Sequence, residues 1–310
     1  MIPATKLDLS QNLQMEFPPL PRTVAEVTQM LAEKTDAPDT PRLVRAVHCD
    51  PVIASAVLRR INSAYYGTSR YIYDIRRAVF LLGFQEVCDI VAASAMVKLR
   101  EVVQPGEQQE MYDQILRLSL GTALFAKCLA HNLDVAHRER AFTTGLMHSV
   151  GRLILLYNRP DDYEALWYTN DKGGIPSTTS ESIIFGVDHT VLGAQAAEAW
   201  NLPSFIGETI RHYLVPGRLA DSDKRVMAMT ISAAASAAEQ FCLDGEAHAA
   251  VFQPNAAFFA LAKISGVASA DLIDFVETTY TDASRFVASM MLAETEPPSH
   301  ANYQSPMASA

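Results

Sequence analysis

The sequence predicts an all-α protein: a multi-helix bundle in two lobes with a C-terminal helical extension. Three observations carry this expectation. Apolar residues recur at the 3.6-residue helical period, as in Val52, Ile53, Ala56, Val57 and Ile61. Capping side chains stand directly before prolines at Thr40-Pro41 and Asp50-Pro51. There the cap oxygen accepts from an orphan N–H, and proline occupies the first helical position at no cost in hydrogen bonds. The remaining apolar stretches are too long and too rich in helix formers for strands.

In chain order, a helix is expected after Asp50. Residues 75–99 read as one long apolar helix with Val79, Leu82, Val87, Ile90, Val91 and Val97 turned inward. Further helices are expected over 111–129, 139–156, 189–200, 204–213, 227–241 and 270–291. Asn201-Leu202-Pro203 separates two of them, because proline disfavours a helical residue before it. Residues 15–105 form the first lobe and 106–215 the second, with Gln104-Pro105-Gly106-Glu107 as the joint. The extension spans 216–293. Residues 294–310, with Pro297-Pro298 and little apolar content, are expected to be a disordered tail.

Of the 310 residues 49% are apolar, which is the composition of a globular chain. No run approaches the roughly 18 apolar residues of a membrane span. The first dozen residues lack the apolar block of a signal peptide. Cys49, Cys88, Cys128 and Cys242 form no Cys-x-x-Cys pair and read as buried free thiols of a cytoplasmic protein. The net charge of −10 argues against general nucleic-acid binding, which needs a basic face. It is uneven: residues 41–100 hold nine Lys and Arg against four Asp and Glu.

One stretch, Gly145-Leu146-Met147-His148-Ser149-Val150-Gly151-Arg152-Leu153, reads like the metal-binding helix of a phosphohydrolase in which a serine follows the histidine. Around it lie Phe17-Pro18-Pro19-Leu20-Pro21, His48-Cys49-Asp50-Pro51, Asn62-Ser63-Ala64-Tyr65-Tyr66-Gly67, Asp188-His189, Trp200-Asn201-Leu202-Pro203 and Arg211-His212-Tyr213. Their order and spacing resemble the HDOD family, the HD-related output domain of bacterial signalling proteins, from about Phe17 to about Leu214. The resemblance implies an all-helical fold and a signalling or regulatory role, usually without catalysis. It also implies where the metal ligands of catalytic relatives would fall. The early histidine falls near Leu118-Ser119 and is absent. The His-Asp pair falls on His148-Ser149, and further imidazoles fall on His189 and His212. No acidic residue stands at a matched position.

Two readings of these histidines stay open. Three imidazoles can hold zinc and leave a fourth position for water. Alternatively, His148, His189 and His212 are structural and bond to the backbone, so that no metal or other cofactor is held. Neither a phosphate-binding glycine loop nor a nucleophile elbow is present.

A second constellation surrounds the Asn-Ser-Ala-Tyr-Tyr-Gly block. Arg59, Arg60, Arg70, Arg76 and Arg77 interleave with Tyr65, Tyr66, Tyr71 and Tyr73, beside Asn62. Gly67 is suited to end the preceding helix, and Asn62 to bond backbone groups across the turn. The arginines are either a solvated face or a docking surface for an acidic partner or a nucleotide phosphate.

The function expected is a non-catalytic signalling module acting by protein–protein contact on separate signalling proteins. One alternative is a regulator that binds a nucleotide or nucleic acid. The other is a metal-dependent phosphohydrolase, or cyclic-dinucleotide phosphodiesterase, with a degenerate site.

Overall fold

The computed structural model describes residues 15–18, 22–32, 38–63, 66–68, 70–98, 100, 107–169, 174–243 and 252–291. Among them there is no β-strand. The first lobe contains α1 (Arg22–Ala32), α2 (Thr40–His48), α3 (Pro51–Ile61), α4 (Ile75–Leu82) and α5 (Phe84–Lys98). The second contains α6 (Glu107–Asn132), α7 (Ala141–Met147), α8 (Val150–Asn158), α9 (Pro160–Trp167), α10 (Thr178–Phe185), α11 (His189–Ala199) and α12 (Ser204–His212). Then follow α13 (Ser222–Ala238), a π-helical turn at Glu239–Leu243, α14 (Ala256–Ser265) and α15 (Ser269–Met291).

Capping chemistry sets most starts. Asp50 accepts from the amides of Val52 and Ile53, with Pro51 behind it, and so begins α3. For α2 the cap is Asp39 rather than Thr40, accepting from the Arg42 amide. This is a correction of one residue, and a carboxylate suits the positive end of a helix better than a hydroxyl.

Two expected single helices are each a pair. Residues 75–99 divide at Gly83, whose φ of 86° lies outside the range of L side chains. The halves, α4 and α5, meet at 112°. Residues 139–156 divide at His148-Ser149, between α7 and α8. Asn201, at φ 53°, makes the turn between α11 and α12. Gly67 is left-handed at φ 52°, but it does not end a helix: α3 stops at Ile61 with Asn62 as its cap.

Three apolar clusters fill the interior. One belongs to the first lobe, with Leu43, Val47, Ile53, Val57, Ile61 and Val79 fully or almost fully buried. The other two lie on opposite faces of α6. Ile115, Leu116 and Leu120 face α7, α8 and α11, whereas Leu118, Phe125 and Leu129 face α13 and α14. The extension therefore shares its core with the second lobe. α15 joins both clusters, through Leu272, Val276 and Ala283 in one and Phe286, Val287 and Met290 in the other. The segment at 15–18 also leans on the second lobe: Asn158 exchanges two hydrogen bonds with Glu16, and the Trp200 indole donates to the Pro18 carbonyl.

A chain of charges ties the lobes together. Lys127 on α6 donates to Asp89 at 2.6 Å and to Glu86 at 2.8 Å, both on α5. Glu86 in turn pairs with Arg60 on α3 at 3.0 Å and accepts from the Tyr66 hydroxyl. The Arg60 guanidinium also lies over the Phe286 ring of α15, 5.0 Å from its centroid.

Of the four cysteines, Cys88 is buried and Cys128 half-buried, but Cys49 is exposed, contrary to expectation. It is the residue that caps the end of α2, where the chain turns at the surface. The side chain of Cys242, the joint at 104–106 and the tail from 294 lie outside the described residues. Among the described residues, no single helix is long and apolar enough to cross a membrane.

Candidate functional site

The glycines of the central motif let helices cross at backbone distance. A Cβ on Gly151 would stand 2.1 Å from the His189 carbonyl oxygen, and one on Gly145 would stand 2.9 Å from the Ala123 Cα. These crossings press α8 against α11 and α7 against α6. They gather Ser119, His148, Ser149, Arg152, Glu181, His189 and Tyr213 into one polar centre inside the second lobe, each buried.

His148 stands at the break between α7 and α8. Its Nδ1 donates to the Gly145 carbonyl at 2.6 Å, which leaves Nε2 as an acceptor. That Nε2 is buried and has no hydrogen-bond partner among the described residues. The ring meets Tyr213 edge-on, with centroids 5.4 Å apart. Burial first, and then the positive charge of Arg152, push this imidazole down to about 3, so it is neutral. Ser149 contacts Ser119 at 2.5 Å. Because the Ser119 hydroxyl already donates to the Ile115 carbonyl, Ser149 is the donor in this pair.

His189 opens α11 behind its cap, Asp188, which accepts from the amides of Thr190 and Val191. Glu181, on α10, accepts from the His189 amide at 2.8 Å and from its Nδ1 at 2.6 Å. The Tyr213 hydroxyl donates to the remaining nitrogen, Nε2, at 2.8 Å. The other oxygen of Glu181 accepts from Arg152 Nε at 3.1 Å. Burial alone would raise the Glu181 carboxyl, but His189 and Arg152 outweigh it and hold the group below its ordinary value. For His189, burial and Arg152 together lower the imidazole despite Glu181.

The sequence-expected residues are thus only partly brought together. His148 and His189 converge on Tyr213. His212, one residue before it, is half-buried, and no ring contact or hydrogen bond joins it to the other two among the described residues. The helical step between positions 212 and 213 points them in different directions, so the tyrosine occupies the centre and the histidine does not. Leu118 points to the opposite face of α6, and Ser119 faces the centre instead. Sequence reasoning missed Arg152 and Glu181. Arg152 was visible in the motif, three residues after Ser149. Glu181 had a weaker signal, a lone acid in the run Ser180-Glu181-Ser182-Ile183-Ile184-Phe185.

Among the described residues no three His, Cys, Asp or Glu side chains are grouped to hold an ion. The Glu181 carboxylate is committed to Arg152 and His189, and a fixed guanidinium supplies positive charge.

The second constellation divides in two. Arg60, Asn62 and Tyr66 belong to the interior scaffold. Arg60 and Tyr66 engage Glu86, and Asn62 bonds the Leu58 carbonyl and both backbone groups of Ile72. Asn62 thus bonds backbone groups across the turn as expected, and all three residues spend polar atoms inside the fold. Arg59, Arg70, Arg76 and Arg77 are exposed. Tyr65 lies outside the described residues.

Comparison with known families agrees with this architecture. A family model described as HDOD domain matches residues 17–216. The chain belongs to the HDOD family. A curated relative, an uncharacterized protein of Treponema pallidum (strain Nichols), is 26% identical over 203 residues, or 65% of this chain. The matched region is only 38% of that relative's length. The fold is that of an HDOD domain protein of unknown function from Geobacter sulfurreducens, with a TM-score of 0.74 at 20% identity. That match covers 89% of this chain and 94% of the other, so it reaches into the C-terminal extension beyond the HDOD match. A structure named as a candidate phosphohydrolase from Shewanella amazonensis SB2B aligns at a TM-score of 0.63 and 21% identity, covering 88% and 94%.

Proposed function

We propose that this HDOD protein is a non-catalytic signal-transduction module of the cytoplasm that acts through contacts with other proteins. The observation that carries the reading is the Arg152–Glu181 ion pair inside the polar centre of the second lobe. Phosphodiester hydrolysis on an HD scaffold needs an ion that activates water and neutralises phosphate charge. Here burial first, and then a covalently attached cation, lower both central imidazoles. A divalent cation brought to the same place would be repelled by the guanidinium, and the Glu181 carboxylate is already doubly engaged. Ser149, a neutral hydroxyl bonded to Ser119, adds no charged donor. A structural neighbour from Marinobacter aquaeolei VT8 is named as a candidate signal transduction protein, with a TM-score of 0.67 at 19% identity over 89% of this chain and 60% of its own. Its name agrees with this reading.

The test joins elemental analysis of untagged protein to phosphodiester turnover assays with added manganese, iron or zinc. Metal well below stoichiometric and no turnover sensitive to His148→Ala is the expected result. Turnover abolished by His148→Ala would overturn the proposal. Repeated failure to recover a reproducible partner from native cells would count against the protein-contact half.

A further inference from the structure

We infer that the outer face of α4, with the loop leading into it, is a docking surface for an acidic amphipathic segment of a partner protein. The inference rests on the signalling role proposed above and names the site and chemistry through which it operates.

The inner face of α4 is committed: Ile75, Ala78 and Val79 are buried in the first-lobe core. The outer face presents Arg76, Arg77, Phe80 and Leu81, with Phe80 83% exposed. Positions 76 and 80, and 77 and 81, are four apart and therefore adjacent on the helix surface. Immediately before the helix, Tyr71 and Tyr73 are both exposed, with ring centroids 4.5 Å apart. Arg70 adjoins them in sequence. Neither Arg70, Arg76 nor Arg77 forms an ion pair among the described residues.

The surface is held in shape before any partner arrives. Asn62 donates to the Ile72 carbonyl and accepts from the Ile72 amide, both within 2.8 Å, which pins the loop between the two tyrosines. Asp74 caps α4 by accepting from the Arg77 amide at 2.7 Å. Fixing a contact surface in this way lowers the entropy lost on binding. The mixture of arginines with large exposed aromatic rings is that of interface anchors.

Charge decides the occupant. Three arginines without an ion pair among the described residues call for carboxylates or phosphates, which the guanidinium fork engages through two bonds. Beyond residues 41–100 the chain is strongly acidic, within a total of −10. A long polyanion would run off the patch onto that repelling surface. A short acidic helix feels mainly what lies within a Debye length of about 8 Å. The apolar ends of Phe80 and Leu81 also need apolar side chains opposite them, which a sugar–phosphate backbone does not offer.

The test uses designed probes on the full chain. One is a fluorescent helical peptide of about 16 residues, long enough to hold helix, with Glu flanking a Leu and Phe stripe. A second has every Glu replaced by Gln, and a third is a single-stranded oligonucleotide of matched charge. Anisotropy titrations should show saturable binding of the acidic peptide that weakens with added salt. The Arg76→Glu/Arg77→Glu variant should lose at least roughly tenfold in affinity and Phe80→Ala several-fold, the scale of hot-spot residues. Lys263→Glu, an exposed basic residue on α14, should change nothing. Arg76→Gln/Arg77→Gln repeats the measurement should charge reversal disturb the circular dichroism. Absent binding, binding indifferent to these arginines, or tighter binding of the oligonucleotide would each overturn the inference. Turnover of a phosphodiester with peptide binding intact would sink the non-catalytic reading and spare the surface. Absent peptide binding without turnover would sink the surface alone.

Discussion

Glu181→Ala removes the carboxylate that bonds both Arg152 and His189. The side chain is fully buried and makes three bonds, to Arg152 Nε, the His189 amide and the His189 Nδ1. Its loss strands a buried guanidinium and an imidazole N–H in a lobe of low polarity. Breaking a buried pair by removing one partner costs about 3–5 kcal/mol. For a chain of 310 residues, an unfolding entropy of about 2.1 cal/mol/K per residue gives roughly 0.65 kcal/mol/K. The melting temperature should therefore fall by about 5–8 °C, measured by circular dichroism or calorimetry at pH 7. Arg152→Met combined with Glu181→Leu should recover at least half of that loss, because an apolar pair leaves no orphaned charge. A single variant within about 1 °C of the parent, or a double variant worse than the single, would refute the idea that the ion pair is a mutually dependent unit.

Other expectations test the same physics elsewhere. Gly151→Ala places a methyl group 2.1 Å from the His189 carbonyl oxygen. Backbone cannot step aside as a side chain can, so a loss above the usual 1–3 kcal/mol of overpacking should appear as poor soluble yield and a lowered urea midpoint. His148 stays neutral in the fold down to about 3, whereas the unfolded chain takes up a proton near 6.5. Its contribution is thus complete above the ordinary histidine value and is lost as pH falls below it, at up to about 1.4 kcal/mol per pH unit; His148→Gln should flatten that slope between pH 4 and 6. Lys127→Ala leaves Asp89 without its cation, although burial already pushes that carboxyl up to about 6. Protonation relieves the orphaned group at low pH, so the drop in melting temperature should be larger at pH 8 than at pH 5. Asn62→Ala removes three bonds to backbone, a loss of about 2 kcal/mol, and should speed amide exchange at Ile72.

The helices were legible where a local device marks them. Asp50 before Pro51 and Asp188 before His189 cap their helices as their chemistry requires. The break at Gly83 does rest on a local device, a positive-φ glycine capping α4, but the apolar run on both sides hid it, and at His148-Ser149 helix-forming residues continue on both sides. α1, α9, α10 and α14 also went unread. In α10 the apolar positions Ile183 and Ile184 are exposed and half-buried, so the sequence lacks a clean stripe. The centre was half visible. His148 and His189 sit in recognisable motifs, but Glu181 reaches His189 from another helix, and nothing in eight residues of spacing announces that contact. Arg60 reads as surface and is spent on Glu86 and Phe286, partners distant in sequence.

Because the positive charge at the heart of the second lobe is carried by a side chain, it cannot be stripped by a chelator or starved by the cell's supply of ions. Loss of that charge is possible only through mutation. A carboxylate introduced there, as in Ser149→Asp, would enter a centre that already holds a fixed guanidinium. The Arg152–Glu181 pair thus sets the electrostatics of the second lobe's interior independently of any dissolved ion.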